Sequence, residues 1–499
     1  MEKYDLCIIG GGPAGYAGAM RAIDFGKKVL LIEKDKVGGA GLYNGALSSK
    51  TMWEFSNQIA SVKEVLNDET KKSLNISYQD FMNSHDKALF DRKFQLACHI
   101  KLLESEESTK DFTYERGTGT LVSEHEVLIK KNNGKEINVY AENILICTGS
   151  SPRKLPHIPI DEKIIVTSDG IHDWKEYPKS MVVLGAGVIG CEFATIFSNL
   201  GETEVALIDK TDRILPFEDD DISDTVATNL ENNGVKIHRN SSLERMEIID
   251  GMVEYELSYK DKDNEIFRVE KALVSVGRVP NLKNTGVEEL GIELNERGMI
   301  ADNDTQTNIS NIYAAGDITG HIALVNVGEL EARHAVEKMF ANNKTKMSYN
   351  NVSTIMFLNP EVAAVGINEK EADRLNIPVR VVKIDYSCIP RAIAMQKTNG
   401  FFKIIVSDDK AMKLLGMRAV GEHASSAIQA VALLIAMDKG IDELADLIHP
   451  HPSIIEGIQE CVRMLMGKSI FKSEVFEDKL KCYRRLKAEC VPLESLTPV

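Results

Sequence analysis

The sequence predicts an α/β protein built around two copies of one strand–turn–helix–strand unit. Three observations carry that prediction. Residues 4–33 run from an apolar strand through a glycine cluster and an Ala-rich helical stretch into a second apolar strand. The same order recurs from Ser180 to Asp209, which is an internal repeat of a supersecondary unit. The chain has 499 residues, of which 43% are hydrophobic and 27% charged, enough for about three globular domains.

The first unit opens with YDLCII, a continuous apolar run of the kind found in strands covered on both faces. Gly10 permits a tight turn, Gly12 lets the backbone approach a pyrophosphate, and Gly15 allows close packing of helix on strand. The helix that follows presents free N–H groups and a positive dipole end to phosphates. Glu33 ends the next strand, KVLLIE, about 20 residues further on, where a carboxylate accepts hydrogen bonds from ribose hydroxyls. In the second unit SMVVLGAGVIG supplies Gly185, Gly187 and Gly190, a helix runs to Leu200, and EVALID ends at Asp209. One subunit is therefore expected to hold two dinucleotides, and a pair of cradles with one at the extreme N-terminus suggests FAD plus a nicotinamide cofactor. Asp209 favours NADH, because a carboxylate accepts the free 2′-hydroxyl and repels a 2′-phosphate. Lys210 and Arg213 keep NADPH open as the alternative.

Composition removes several other functions. A net charge of −16 disfavours nucleic acid and anionic lipid as partners. The eight cysteines are scattered with no CxxC pair, which reads as a reducing compartment, with neither a disulfide framework nor a metal site. The longest apolar stretch, Ala430 to Met437, is far short of the roughly 18 residues of a membrane span. Acidic Glu2 and Asp5 beside the apolar start argue against a signal peptide. The expected location is cytoplasmic.

Beyond the cradles the chain carries LICTGSSP around Thr148 and Gly149, VSVGRVPN around Gly277, and IYAAGDITG with Gly316 and Asp317. FLNPEVAAVG and HPHPSIIE follow. Taken together with the two cradles, these motifs resemble the pyridine nucleotide-disulfide oxidoreductases over residues 1 to about 470. The resemblance implies two Rossmann-like dinucleotide-binding domains and a C-terminal α+β dimerisation domain. It divides the chain into an FAD-binding part at 1–149, an NAD(P)-binding domain at 150–280, a second FAD-binding part at 281–349, an interface domain at 350–470 and a tail at 471–499. It further implies that Asp317 meets the ribityl chain, that Lys50 and Glu192 form an ion pair beside the flavin N5, and that His451 and Glu456 form a dyad reaching into the partner's site in a homodimer.

One departure bears on the chemistry. Where the disulfide reductases read GGTCLNVGCIPSK or close to it, residues 38–50 read GGAGLYNGALSSK, so Gly41 and Ala46 stand where the family has its redox cysteines. Neither side chain can form a thiolate, and thiol–disulfide exchange requires one. Loss of two sulfurs is expected to enlarge the pocket beside the flavin, with Tyr43 as a stacking wall for a planar acceptor. The expected activity is FAD-dependent NAD(P)H oxidation with direct transfer to a quinone-like or other small non-disulfide acceptor. The alternatives are soluble pyridine nucleotide transhydrogenation and a dihydrolipoamide dehydrogenase-like flavoprotein subunit inactive on disulfides. The tail reads as an amphipathic helix with Val475, Phe476, Leu480, Tyr483 and Leu486 on one side, and no redox role is expected of Cys482 and Cys490.

Overall fold

A computed structural model describes residues 1–105, 111–260, 262–473 and 475–492. The chain divides into two compact units: residues 1–58, 63–177 and 273–347 form the first, and residues 59–62, 178–272 and 348–499 the second.

In the first unit the strand Glu2–Ile9 lies between Val29–Glu33 and Glu136–Ile146, parallel to both. The strand Phe112–Leu121 extends the sheet beyond Val29–Glu33, and Ile312–Ala314 beyond Glu136–Ile146, again in parallel. Side chains alternate between two cores, as the strand period of two requires. Leu6, Ile8 and Leu31 join Ala19, Ala332 and Ala335 on one face. Cys7, Ile9, Leu30 and Ile32 pack with Ile144, Ile300 and Ile318 on the other. Burial on both sides explains the uninterrupted apolar reading of these strands. Two long helices, Ala46–Val65 and Tyr78–Leu103, stand between the second and third strands in sequence.

The second unit contains the repeat. Ser180–Leu184 pairs in parallel with Glu204–Ile208, which pairs in parallel with Lys236–His238. An antiparallel meander, Ser241–Ile249, Met252–Tyr259 and Glu265–Val269, follows. From Ser353 onward the architecture changes to an antiparallel seven-stranded sheet. Its inner face packs on the helices Gln429–Ala436 and Glu456–Leu465 through Val382, Phe402, Ile404, Val431, Ile458 and Val462.

The tail corrects a sequence expectation. Leu480–Leu486 is a strand added antiparallel to Val379–Asp385, and Glu489–Pro492 forms the sheet's edge. The apolar residues that suggested a helix face alternate instead. Leu480 and Cys482 meet the core, while Tyr483 lies on the opposite sheet face. Lys487 and Ala488 make the two-residue turn at φ +51° and +65°, the geometry of a type I′ hairpin. Neither residue is the Asn or Gly that normally announces such a turn. Positions 474 and 493–499 of the expected helix lie outside the described residues.

Candidate functional site: two dinucleotide cradles and a cysteine-free redox segment

In the first unit, a β-carbon on Gly10 would meet the Cys147 carbonyl oxygen at 2.3 Å, and one on Gly15 the Gly10 carbonyl oxygen at 1.9 Å. The protein's own backbone therefore demands both glycines. Gly12 is different, since nothing lies within 4 Å of where its β-carbon would be. The helix Pro13–Asp24 starts directly after it, so the open space leads to unpaired helix N–H groups, as a pyrophosphate requires. Glu33 is 9% exposed. It accepts the Gly11 N–H through Oε2 and the Asp35 N–H through Oε1, both at 2.7 Å, which fixes its carboxylate at the end of the strand. Thr148 Oγ1 is buried without a hydrogen-bond partner, a polar atom of the kind a bound ligand satisfies.

Two distant motifs meet beside this cradle. Ser150–Pro152 pairs antiparallel with Arg278–Pro280, flanked by Gly149 and Gly277. Asn281 Nδ2 donates to the Thr148 carbonyl at 2.9 Å. Ser150 Oγ donates to Asp317 Oδ2 at 2.5 Å and accepts from Arg278 Nε at 2.7 Å. The Gly316 N–H donates to the buried Glu331 at 2.6 Å. Sequence reasoning found Asp317 but not its supports. Arg278 stood in the quoted motif, yet nothing local tied it to residue 317.

In the second unit, Gly185, Gly187 and Gly190 lead from Ser180–Leu184 into the helix Val188–Leu200. The space at Gly187 is again open, with nothing within 4 Å. Thr211 donates to Asp209 Oδ1 through both its N–H and its hydroxyl, each at 2.8 Å. Arg213 is engaged by Asp212 at 3.1 Å, Asp220 at 3.6 Å and Asp224 at 3.0 Å. Glu192, 3% exposed, accepts the Phe357 N–H through Oε1 at 3.1 Å. The residues present thus fit FAD in the first cradle and a nicotinamide dinucleotide in the second.

The segment 38–50 lies in the first unit. Gly39–Leu42 is a short helix, and Ala46–Val65 a long one carrying Lys50, whose Nζ donates to Ser49 Oγ at 3.3 Å. A β-carbon on Gly41 would stand 2.4 Å from Pro13 Cγ and 3.5 Å from Val325 Cγ2. The backbone at Gly41 is thus closed to a side chain in this arrangement, because the Pro13 ring already occupies the place of a β-carbon. Tyr43 is also not a free wall. The ammonium groups of Lys36 and Lys93 stand over its ring at 5.1 and 4.8 Å from the centroid.

Ser48 was not anticipated. Its Oγ lies 2.8 Å from His85 Nε2, and His85 Nδ1 lies 2.9 Å from Asp86 Oδ1. The atoms repeat the order of a Ser–His–Asp triad, but Ser48 is 0% exposed, so no substrate reaches it. At helical spacing it points away from the face shared by residues 46 and 50. His172 stacks on His85 with ring centroids 5.2 Å apart, and burial, with His85 adding to it, pushes the His172 ring down to about 3. The cluster ties the head of the helix to its neighbours.

In the second unit His451 Nδ1 lies 2.7 Å from Glu456 Oε1, and the Ser453 N–H donates to Glu456 Oε2 at 2.9 Å. Burial acts to raise the Glu456 carboxyl, but the Ser453 N–H and the His451 ring outweigh it and hold the group below the usual range. The imidazole is 70% exposed.

Of the eight cysteines Cys7, Cys147, Cys191 and Cys461 are buried, and Cys490 alone is exposed. Burial pushes the thiols of Cys7, Cys147 and Cys191 far up. Cys490 sits opposite Arg485, on the sheet face away from Cys482. Cys482 faces the same core as Cys461, and burial raises both thiols, Cys482 to about 11. Among the described residues no helix is long and apolar enough to cross a membrane.

Comparison with known proteins agrees with this geometry. The family model described as pyridine nucleotide-disulphide oxidoreductase matches residues 4–332, and that of the family's dimerisation domain matches residues 352–462. Dihydrolipoyl dehydrogenase of Chlamydia muridarum is 33% identical over 461 residues, covering 91% of this chain and 95% of that protein. Leghemoglobin reductase of Glycine max is 30% identical over 472 residues, covering 94% and 88%. Among solved structures, the HOCl-induced flavoprotein disulfide reductase RclA of Escherichia coli superposes with a TM-score of 0.80 at 25% identity, covering 93% of this chain and 100% of that one. LpdA of Mycobacterium tuberculosis shares the fold at a TM-score of 0.84, with 24% identity and the same coverage. With two cradles, a dimerisation domain and relatives matched along nearly their whole length, this chain belongs to the pyridine nucleotide-disulphide oxidoreductase family and is an FAD-dependent pyridine nucleotide oxidoreductase.

Proposed function

We propose that this protein oxidises NADH and delivers the electrons from its flavin directly to a small non-disulfide acceptor of the quinone or dye class. The observation that carries the proposal is the segment 38–50, where both redox cysteines are missing and the space at position 41 is taken by Pro13 and Val325. FAD, when bound, supplies two-electron chemistry between a reduced nicotinamide and an acceptor. The chain supplies binding and orientation. Gly12 and Thr148 receive the FAD, and Ser150 and Arg278 hold the Asp317 carboxylate in one orientation toward its ribityl chain. Gly187 and Asp209 receive the nicotinamide dinucleotide. Lys50 and Glu192 serve the hydride-receiving side. In the homodimer His451, oriented by Glu456, holds the proton that a reduced carbonyl acceptor takes up.

Engagement of Arg213 by three carboxylates favours NADH over NADPH and weighs against transhydrogenation, which needs a site for the 2′-phosphate. The test is anaerobic stopped-flow with NADH and NADPH separately, followed by quinone, thio-NAD and lipoamide as acceptors. Fast flavin bleaching by NADH and reoxidation by quinone are expected. Reoxidation by lipoamide, or by thio-NAD alone, overturns the proposal.

A further inference from the structure

The tail hairpin lies beyond the matched family domains, yet its side chains end in a buried ionic cluster that leads to the second cradle. Tyr483 Oη donates to Glu369 Oε2 at 2.9 Å, and Arg485 donates to the same oxygen at 2.9 Å and to Asp373 at 2.7 Å. The other Glu369 oxygen accepts from Lys403 Nζ at 2.7 Å. Lys403 is 0% exposed and also reaches Asp219 at 2.8 Å and Asp221 at 2.7 Å. Burial acts to discharge it, but the surrounding carboxylates outweigh that and keep it protonated. Asp219 in turn accepts the N–H groups of Glu369 and Lys370 at 3.3 and 3.2 Å.

Asp219 closes the loop that begins at Asp209, and Asp221 lies in the first turn of the helix Asp220–Asn232 that follows it. Within the loop the Leu215 N–H donates to the carbonyl of Ala186, inside the glycine turn of the cradle, at 2.9 Å. The loop that carries the ribose-recognising acid is thus pinned at one end to the glycine turn and at the other to the ionic cluster. With Arg485 in place, three cations (Lys383, Lys403 and Arg485) face four carboxylates (Asp219, Asp221, Glu369 and Asp373). Without it, two cations face four, and the excess charge repels the loop from its anchor.

We infer that the C-terminal hairpin is a positioning element for the nicotinamide dinucleotide site, acting from Arg485 and Tyr483 through Glu369 and Lys403 on the 209–219 loop and the helix start that follows it. The inference rests on dinucleotide binding in the second cradle and is independent of the acceptor.

The test uses FAD-loaded, full-length protein with NAD⁺ as the calorimetric probe and ferricyanide as the acceptor in turnover. Arg485→Met is expected to weaken NAD⁺ binding about tenfold, equivalent to about 1.4 kcal/mol, and to raise the KM for NADH similarly. FAD content and kcat at saturating NADH stay unchanged. Adding Asp373→Asn removes one surplus carboxylate and is expected to restore most of the affinity. Unchanged NAD⁺ affinity in Arg485→Met overturns the inference, as does a loss matched by an equal fall in FAD content and kcat. So does failure of the second substitution to rescue. Wild-type protein that binds no NAD⁺ would instead refute the reading of the cradle itself.

Discussion

Replacing Gly41 with alanine tests whether position 41 is closed to a side chain. Gly41 lies in the helix Gly39–Leu42 outside the left-handed region, so the exchange by itself stabilises by about 0.4–1 kcal/mol through the unfolded chain. Against this, the new methyl stands 2.4 Å from Pro13 Cγ, more than 1 Å inside ordinary carbon–carbon contact of about 3.5–4 Å. A proline ring cannot rotate aside, and Val325 closes the other direction at 3.5 Å. Overpacking of this kind costs about 1–3 kcal/mol, so the net effect is a loss of about 1–2 kcal/mol. Pro13 sits in the first turn of the helix facing the FAD cradle. Its displacement therefore weakens FAD retention by about 5–30-fold, the equivalent of that energy. The assay is reconstitution of stripped protein with FAD, followed by flavin fluorescence, with thermal melting of the apoprotein alongside. Gly41→Ala protein that holds FAD like wild type and melts at a higher temperature would refute the reasoning. On the same grounds, Gly41→Cys combined with Ala46→Cys is expected to yield no lipoamide reductase activity.

Gly187→Ala does not lower apoprotein stability, because its methyl enters open space, but raises the KM for NADH at least tenfold by blocking the pyrophosphate approach; a normal KM would show that the phosphates lie elsewhere. Lys403→Met strands Asp219, Asp221 and Glu369 around an apolar side chain and is expected to cost about 3–5 kcal/mol, read as a lower denaturant midpoint at neutral pH. Stability also falls in acid. His172 has a reference value of 6.5 and is held at about 3 by burial, so between those values the unfolded chain binds a proton that the folded chain refuses. The contribution is fully present above pH 6.5 and is lost progressively toward pH 3. Denaturant titrations from pH 7 to pH 4 should show a shallower decline in His172→Phe than in wild type, and equal slopes would exclude this residue as the cause.

Much of this molecule is legible in its sequence because the relevant physics is local. A glycine turn between a buried strand and a helix works through the backbone of a few residues, so Gly10, Gly12, Gly15 and their counterparts in the repeat announce themselves by spacing. Glu33 and Asp209 follow from the rise of the next strand. That residues 38–50 contain no cysteine is likewise visible without any coordinates. Tertiary structure decided what depends on neighbours remote in the chain. Whether Gly41 opens a cavity depends on Pro13 and Val325, and whether Arg213 is available to a phosphate depends on Asp220 and Asp224. The tail shows the limit most clearly. Its apolar residues fit a helical face, but pairing with Val379–Asp385 satisfied a row of backbone groups and placed Arg485 against Asp373 and Glu369. Hydrogen bonds and ion pairs between segments about a hundred residues apart outweighed local periodicity.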